Sequence, residues 1–251
     1  MAVAKLKKTE YAISSKKSVA ECRVALLSDL HNGEKAADMA AKLLALDPPD
    51  VIAITGDLYE SPPRNPFADT GAVRLIDRLP RGVPIVYCRG NHDHAPTDGT
   101  RAALARAGAI ELDSSSVELS GILFGGLRSA HYKEKVPDLA FLDRFCAEGA
   151  EKFRILLSHH PEYYPRYIRE RSGIDLTLSG HAHGGQWCIL GRGIFAPGQG
   201  LFPKYTHGLY DGGRLAVSRG MHNSIRIPRI LCPTEIVYIT IRHHGYAPSD
   251  D

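Results

Sequence analysis

Five short apolar runs in this sequence each stop at residue types that bind metal ions, and this recurrence constrains the fold more than any other feature. The stops are Asp29-Leu30-His31, Gly56-Asp57, Gly90-Asn91-His92-Asp93, His159 and Gly180-His181-Ala182-His183. Taken singly, each reads as a turn, a helix cap or a satisfied loop histidine. Taken in order, each just past a β-type run, they read as one site along one sheet edge. The donors Asp29, His31, Asp57, Asn91, His159, His181 and His183 exceed the roughly three or four ligands that a single zinc site takes, so they point to two ions.

The segments between the stops alternate in character. Val24 to Ser28, Val51 to Thr55 and Val83 to Cys88 are strand-like, while Glu34 to Asp47, Thr70 to Leu79 and about Thr100 to Ala107 have helical spacing. Pro48 and Gly108 supply stops for the first and third helix. This alternation predicts βαβ units and a largely parallel sheet. Ile110 to Gly126 then reads as consecutive strands about a Ser120-Gly121 turn, and Pro137 to Ala147 as a helix. Phe153 to Leu157 and Ile174 to Leu178 are strands again, ending at His159 and His181. After His183 come glycines and hairpin signals, including Asp211-Gly212-Gly213, and Thr234 to Ile241 makes a closing strand. The expected architecture is α/β, two sheets packed face to face with helices outside, the site lying beyond the carboxyl ends of the strands. Residues 1–251 are expected to form one domain, with 1–20 as an N-terminal strand and tail and 186–251 as its hairpin-rich last part.

Composition narrows the function classes. A net charge of +3 over 251 residues is too small to argue for nucleic acid, and no basic stripe is interleaved with aromatics. The lysines before residue 20 could touch an anionic membrane surface, but a solvated edge strand accounts for them. No run reaches the ~18 apolar residues of a membrane span. The five cysteines are scattered and form no C-x-x-C pair, which predicts reduced thiols in a cytoplasmic protein.

The donor set also carries chemistry. Asp29 and His31, two apart at a strand end, can hold one ion together, and a carboxylate alone on its loop, Asp57, can bridge two. Mixed nitrogen and oxygen donors suit manganese, zinc or iron rather than calcium. Two divalent ions outweigh two carboxylates and leave net positive charge for an anionic substrate and a hydroxide, an arrangement suited to in-line attack on a phosphate ester. His92, beside Asn91, is expected to stay off the metals and either to protonate the leaving oxygen or to stabilise the developing charge, with Asp93 orienting its ring. The late basic residues Arg192, Lys204, Arg214, Arg219, Arg226 and Arg229 read either as a wall facing an anion or as ordinary exposed hairpin residues.

The pattern D-x-H, G-D, G-N-H-D, H and G-H-x-H resembles that of the calcineurin-like metallophosphoesterases, from about Arg23 to Trp187. The resemblance implies a four-layer α/β/β/α sandwich and a dinuclear centre. It implies Asp29, His31 and His183 on the first ion, Asn91, His159 and His181 on the second, and Asp57 as the bridge. It also implies His92 as the catalytic histidine, paired with Asp93, and a metal-bridging hydroxide as nucleophile. The family's His-x-Pro pattern selects His159 over His160. Leu157-Ser158-His159-His160-Pro161-Glu162-Tyr163, Gly180 to Gln186, Gly208-Leu209-Tyr210 and Val217-Ser218-Arg219-Gly220 are similar to a bacterial, phosphodiesterase-like subgroup. That likeness implies a small phosphodiester substrate, with a phosphomonoesterase or a catalytically silent metal-binding scaffold as alternatives. Arg89, where apolar residues or proline are more usual, is expected to be solvated or ion-paired.

Overall fold

A computed structural model describes residues 6–17, 19–60, 70–129, 136–223 and 228–244. Two six-stranded mixed sheets dominate it. The first contains β1 (Lys7–Ser15), β2 (Cys22–Leu27), β3 (Val51–Thr55), β4 (Ile85–Cys88), β5 (Ile110–Glu111) and the last strand of the chain. The second contains β6 (Ser115–Leu119), β7 (Ile122–Gly126), β8 (Phe153–Leu157), β9 (Leu176–Ser179) and two late strands. Two small ribbons follow β9, formed by β10 (Cys188–Ile189) with β11 (Arg192–Gly193) and by β12 (Phe195–Ala196) with β13 (Gly200–Leu201). Then come β14 (Gly208–Tyr210), β15 (Leu215–Val217) and β16 (Glu235–His243). The first sheet runs β1-β16-β2-β3-β4-β5 and the second β14-β15-β9-β8-β7-β6. In each, the strands that lead to the site are parallel neighbours: β2, β3 and β4, and β8 and β9.

Successive side chains of a strand face opposite ways, and here that alternation sorts each strand between two apolar layers. Ala25 and Leu27 of β2, Ile52 and Ile54 of β3, and Tyr87 of β4 pack with α1 (Glu34–Leu46), α2 (Gly71–Ile76) and α3 (Asp98–Arg106). Their neighbours Val24, Leu26, Val51, Ala53 and Val86 turn inward against Phe124, Ile155, Leu157 and Leu178 of the second sheet. On that sheet's outer face Leu123, Leu156 and Leu215 meet Phe141, Leu142 and Phe145 of α4 (Leu139–Ala147). The order is helix, sheet, sheet, helix, the expected four-layer sandwich. Strands buried on both faces read as unbroken apolar runs rather than alternating ones. Each fully buried leucine or isoleucine contributes about 1.5–3 kcal/mol.

The helix starts follow local chemistry. Thr70, Thr97 and Asp138 each accept the backbone N–H three residues on, from Val73, Thr100 and Phe141. Thr70 is therefore a cap rather than the first helical residue, and α2 ends at Ile76, short of the expected Leu79. The N-terminal segment forms the expected edge strand, β1, paired in parallel with β16 from Lys7↔Glu235 to Ser15↔His243. Among the described residues, no helix is long and apolar enough to cross a membrane.

Candidate metal centre

The loops after β2, β3, β4, β8 and β9 meet at one edge, and their backbones are tied before their side chains are considered. Asp29 N donates to Gly56 O at 3.0 Å, His31 N to Asp57 O at 3.0 Å, and Gly180 N to His159 O at 3.1 Å. Close approach requires glycine at two of the crossings. A Cβ on Gly56 (φ +89) would sit 2.4 Å from Gly90 N, and one on Gly90 would sit 2.2 Å from Asp57 Oδ1. Beyond them the chain turns sharply. Asp29, His31, Asp57, His181 and His183 all have φ between 45 and 64, a left-handed region that residues with a Cβ seldom occupy. Five such conformations among seven candidate ligands is the local strain expected where backbone is bent to aim side chains.

The aimed atoms converge. Asp57 Oδ2 lies 3.6 Å from His31 Nε2 and 3.3 Å from His159 Nε2, so this buried carboxylate stands between two clusters. On one side, Asp29 Oδ1 is 4.0 Å from His31 Nε2 and 3.6 Å from His183 Nε2. On the other, Asn91 Oδ1 is 3.1 Å from His159 Nε2, and His181 joins Asp57 and His159 with ligand atoms all within 4.8 Å of one another. All seven sequence-selected donors are thus brought together. The His159 ring is also held from behind: its Nδ1 donates to Thr55 O at 2.7 Å, which leaves Nε2 facing Asn91 and Asp57.

Electrostatics divides the histidines. Burial, with neighbouring imidazoles adding to it, pushes His181 well below its ordinary pKa. Burial pushes His183 down to about 4. Both are therefore neutral, with a lone pair to offer. Burial acts the same way on His159, but the Asp57 carboxylate overrides it and lifts that ring to about 10. His31 is raised likewise, against burial, by Glu60, Asp57 and Asp29. Buried carboxylates need compensating positive charge, and His31 Nε2 is buried without a hydrogen-bond partner. Clustered carboxylate and imidazole donors, with an orphaned nitrogen among them, fit a pair of divalent cations.

His92 also brings a ring nitrogen to the site, within 4.8 Å of donor atoms of His31 and Asp57, and its hydrogen-bond partner differs from the expected one. Its Nδ1 is 3.0 Å from Glu60 Oε2, and the other oxygen of Glu60 is 2.7 Å from His31 Nδ1. The hydrogen bond to Glu60 raises the His92 pKa, against the opposing effect of burial. The Asp93 carboxylate is engaged elsewhere. Its carboxylate accepts from Gly90 N at 2.9 Å and Tyr59 N at 3.1 Å, and burial beside Asp57 lifts its pKa to about 6. Asp93 shapes the loop, while the orienting carboxylate assigned to it in the sequence is Glu60. Nothing in Leu58-Tyr59-Glu60 signals this; only the turn after Asp57 brings the side chain back over the site.

A second group missed in the sequence adjoins the first. His160, Glu162 and His181 also place ligand atoms within 4.8 Å of one another, and Ser129 Oγ is 2.8 Å from His160 Nε2. His160 therefore lines the site beside His159 rather than replacing it. Among the described residues, the late arginines Arg214, Arg219 and Arg229 are engaged within the fold rather than arrayed as a wall. Arg219 is paired with the buried Glu235, Arg214 donates to Arg171 O and Ile174 O, and Arg229 donates to Arg219 O and His222 O and abuts His183 Nδ1. Arg192 is exposed on a ribbon, Lys204 is exposed just after β13, and Arg226 lies outside the described residues. Arg89 is ion-paired with Glu111 at 2.6 Å, as expected.

The chain is 29% identical over 191 residues to the uncharacterized protein YpbG of Bacillus subtilis, covering 72% of this chain and 68% of that one. It is 27% identical to an uncharacterized metallophosphoesterase of Campylobacter jejuni, covering 88% of this chain but only 59% of that one. To an uncharacterized metallophosphoesterase of Aquifex aeolicus it is 27% identical, covering 96% and 93%. The chain thus spans between about three fifths and nearly all of these relatives. Residues 22–185, which include every candidate ligand, match the family described as calcineurin-like phosphoesterase. The chain belongs to the calcineurin-like phosphoesterase family, a family of metal-dependent phosphoester hydrolases.

Proposed function

We propose that this chain hydrolyses phosphodiesters in preference to monoesters, with Asp29, His31 and His183 holding one divalent ion, Asn91, His159 and His181 a second, and Asp57 both. The observation that carries the reading is the position of Asp57, buried between two imidazole clusters at 3.6 and 3.3 Å. Divalent ions there supply Lewis acidity, acidifying water and neutralising charge on phosphoryl oxygens. Mixed imidazole, amide and carboxylate donors favour manganese, zinc or iron. Five free thiols agree with a reducing compartment such as the cytoplasm.

The remaining work falls to the chain itself. His92 is half-buried and its Nδ1 donates to Glu60, which raises its pKa and favours the imidazolium, whose second proton, on Nε2, is the one available to a leaving oxygen. Charge supports the diester preference. A monoester dianion calls for additional cations, yet among the described residues Arg219, Arg229 and Arg89 are already engaged with Glu235, backbone carbonyls and Glu111.

The deciding experiment measures kcat/KM of purified protein on an aryl phosphodiester and the matching monoester, with metal analysis before and after chelation. Chelation should abolish turnover, manganese, zinc or iron should restore it, and the diester should be preferred. Full activity after complete chelation would exclude the metal reading, and a higher monoester value would reverse the substrate assignment. Glu60→Gln provides a narrower check. The amide can still hydrogen-bond but lacks the charge that orients two imidazoles, so turnover should fall about 10–100-fold. Turnover within twofold of the parent, about 0.4 kcal/mol, would remove Glu60 from the site's working parts.

A further inference from the structure

The ribbons that follow the metal centre carry an apolar surface that the fold does not use. Eleven large apolar side chains are exposed among the described residues, and eight of them lie within 187–202 and 230–231. Backbone pairing makes them contiguous. Trp187 bridges Ile230, Phe195 pairs with Leu201, and Phe202 N donates to Ile194 O at 2.8 Å. Leu190 is 99% exposed, Leu231 80% and Phe202 78%.

These three residues are also strained. Leu190, Phe202 and Leu231 have φ of 48, 51 and 52, a left-handed region where glycine or asparagine would be relaxed and a bulky apolar residue is an outlier. A scattered exposed leucine needs no explanation. Three strained, almost fully exposed apolar tips on one contiguous surface do, because neither folding nor solubility favours them.

The surroundings indicate what covers this surface. The tips stand on separate turns and protrude, which suits insertion into a fluid phase more than packing against a flat protein face. No Asp or Glu occurs from Trp187 to Tyr210 or from Arg219 to Thr234, while Arg192 and Lys204 are exposed among the apolar tips. Apolar tips with a basic rim match a hydrocarbon layer under anionic headgroups. Trp187 adds an amphipathic ring, its Nε1 donating to Pro228 O at 3.0 Å and its face exposed, as at membrane interfaces. The surface is rooted on the site: Trp187 N and Ile194 N both donate to Gly185 O, two residues after His183.

We propose that this surface seats the chain on an anionic lipid bilayer, and that the phosphoester it takes belongs to a membrane lipid. The second half rests on the hydrolase reading above, whereas docking does not require turnover. The test uses the full chain in excess chelator, sedimented with vesicles of phosphatidylcholine alone or with about a quarter phosphatidylglycerol. The protein should sediment with the anionic vesicles and less so at high salt. The combined variant Leu190→Asn, Phe202→Asn and Leu231→Asn should partition at least about tenfold less. It should melt no lower than the parent, because asparagine tolerates the left-handed turns. It should also match the parent on a water-soluble aryl phosphodiester and fall behind on phospholipid vesicles. A parent that stays in the supernatant, or a variant that sediments equally, overturns the docking. So does a parent dimer that the variant splits into monomers without vesicle binding, which would make the surface a protein interface. If docking behaves as expected but neither protein cleaves the soluble diester, the hydrolase reading fails and the docking stands.

Discussion

Asp57→Asn is expected to lower phosphodiester turnover by roughly a thousandfold or more, beyond the ~10–100-fold typical of groups that only support a ligand. Asparagine has nearly the same shape, and its amide oxygen can still accept the bond that Asp57 Oδ1 takes from His92 N at 2.9 Å. The fold should therefore persist. What changes is the other oxygen, 3.6 Å from His31 Nε2 and 3.3 Å from His159 Nε2. An NH2 group there has neither the charge nor the lone pairs to serve two cations. Elemental analysis should show metal content well below the parent's under identical loading. A variant that keeps full metal content and normal turnover would leave the dinuclear reading without its bridge.

His92→Ala should separate the two phenomena that Asp57→Asn removes together. His92 is not in the proposed ligand set, although its ring comes within 4.8 Å of the His31 and Asp57 donors, and its hydrogen bond to Asp57 is made by the backbone N–H, which alanine retains. Metal content should therefore equal the parent's while turnover falls about 10²–10⁴-fold, the usual worth of a positioned proton donor. The size of the loss should depend on the substrate. A nitrophenyl diester, whose leaving oxygen needs little protonation, should lose much less than an alkyl diester. Equal losses on both would argue against proton donation, and loss of the metals would place His92 in the ligand set.

Particular residues show what the sequence could and could not reveal. The seven donors were legible because each follows a run buried on both faces, such as Val51 to Thr55, and such runs leave little doubt about where the strand stops. Four layers were legible for a related reason: helices between parallel strands must cover the outer faces. Helix ends were read within a few residues where a threonine or aspartate could be a cap, and α2 came out short because Val73, Ile76 and Leu79 keep helical spacing after the helix has ended. Glu60 and Glu162 were not legible as site residues. Neither lies in a periodic context, and their proximity to His31, His92 and His181 depends on loop paths that no local propensity encodes. The orienting role assigned to Asp93 failed similarly, since adjacency along the chain does not decide which way a buried carboxylate turns. The engagement of Arg219 was not legible because Glu235, which binds it, lies 16 residues further on in another strand.

The place of β16 between β1 and β2 has a consequence for how the chain is made. Every proposed ligand has been synthesised by residue 183, yet the sheet carrying Asp29 and Asp57 has a gap in its strand order until residues 235–243 emerge. At roughly 5–20 residues per second, the nascent chain holds its metal-binding loops for several seconds on an incomplete support. The contacts that close the sheet, such as Lys7↔Glu235, are among the most distant in sequence that the chain can make, and such pairings form slowly. Metal capture during synthesis would thus begin on an unfinished frame, and the final strand would act as the latch.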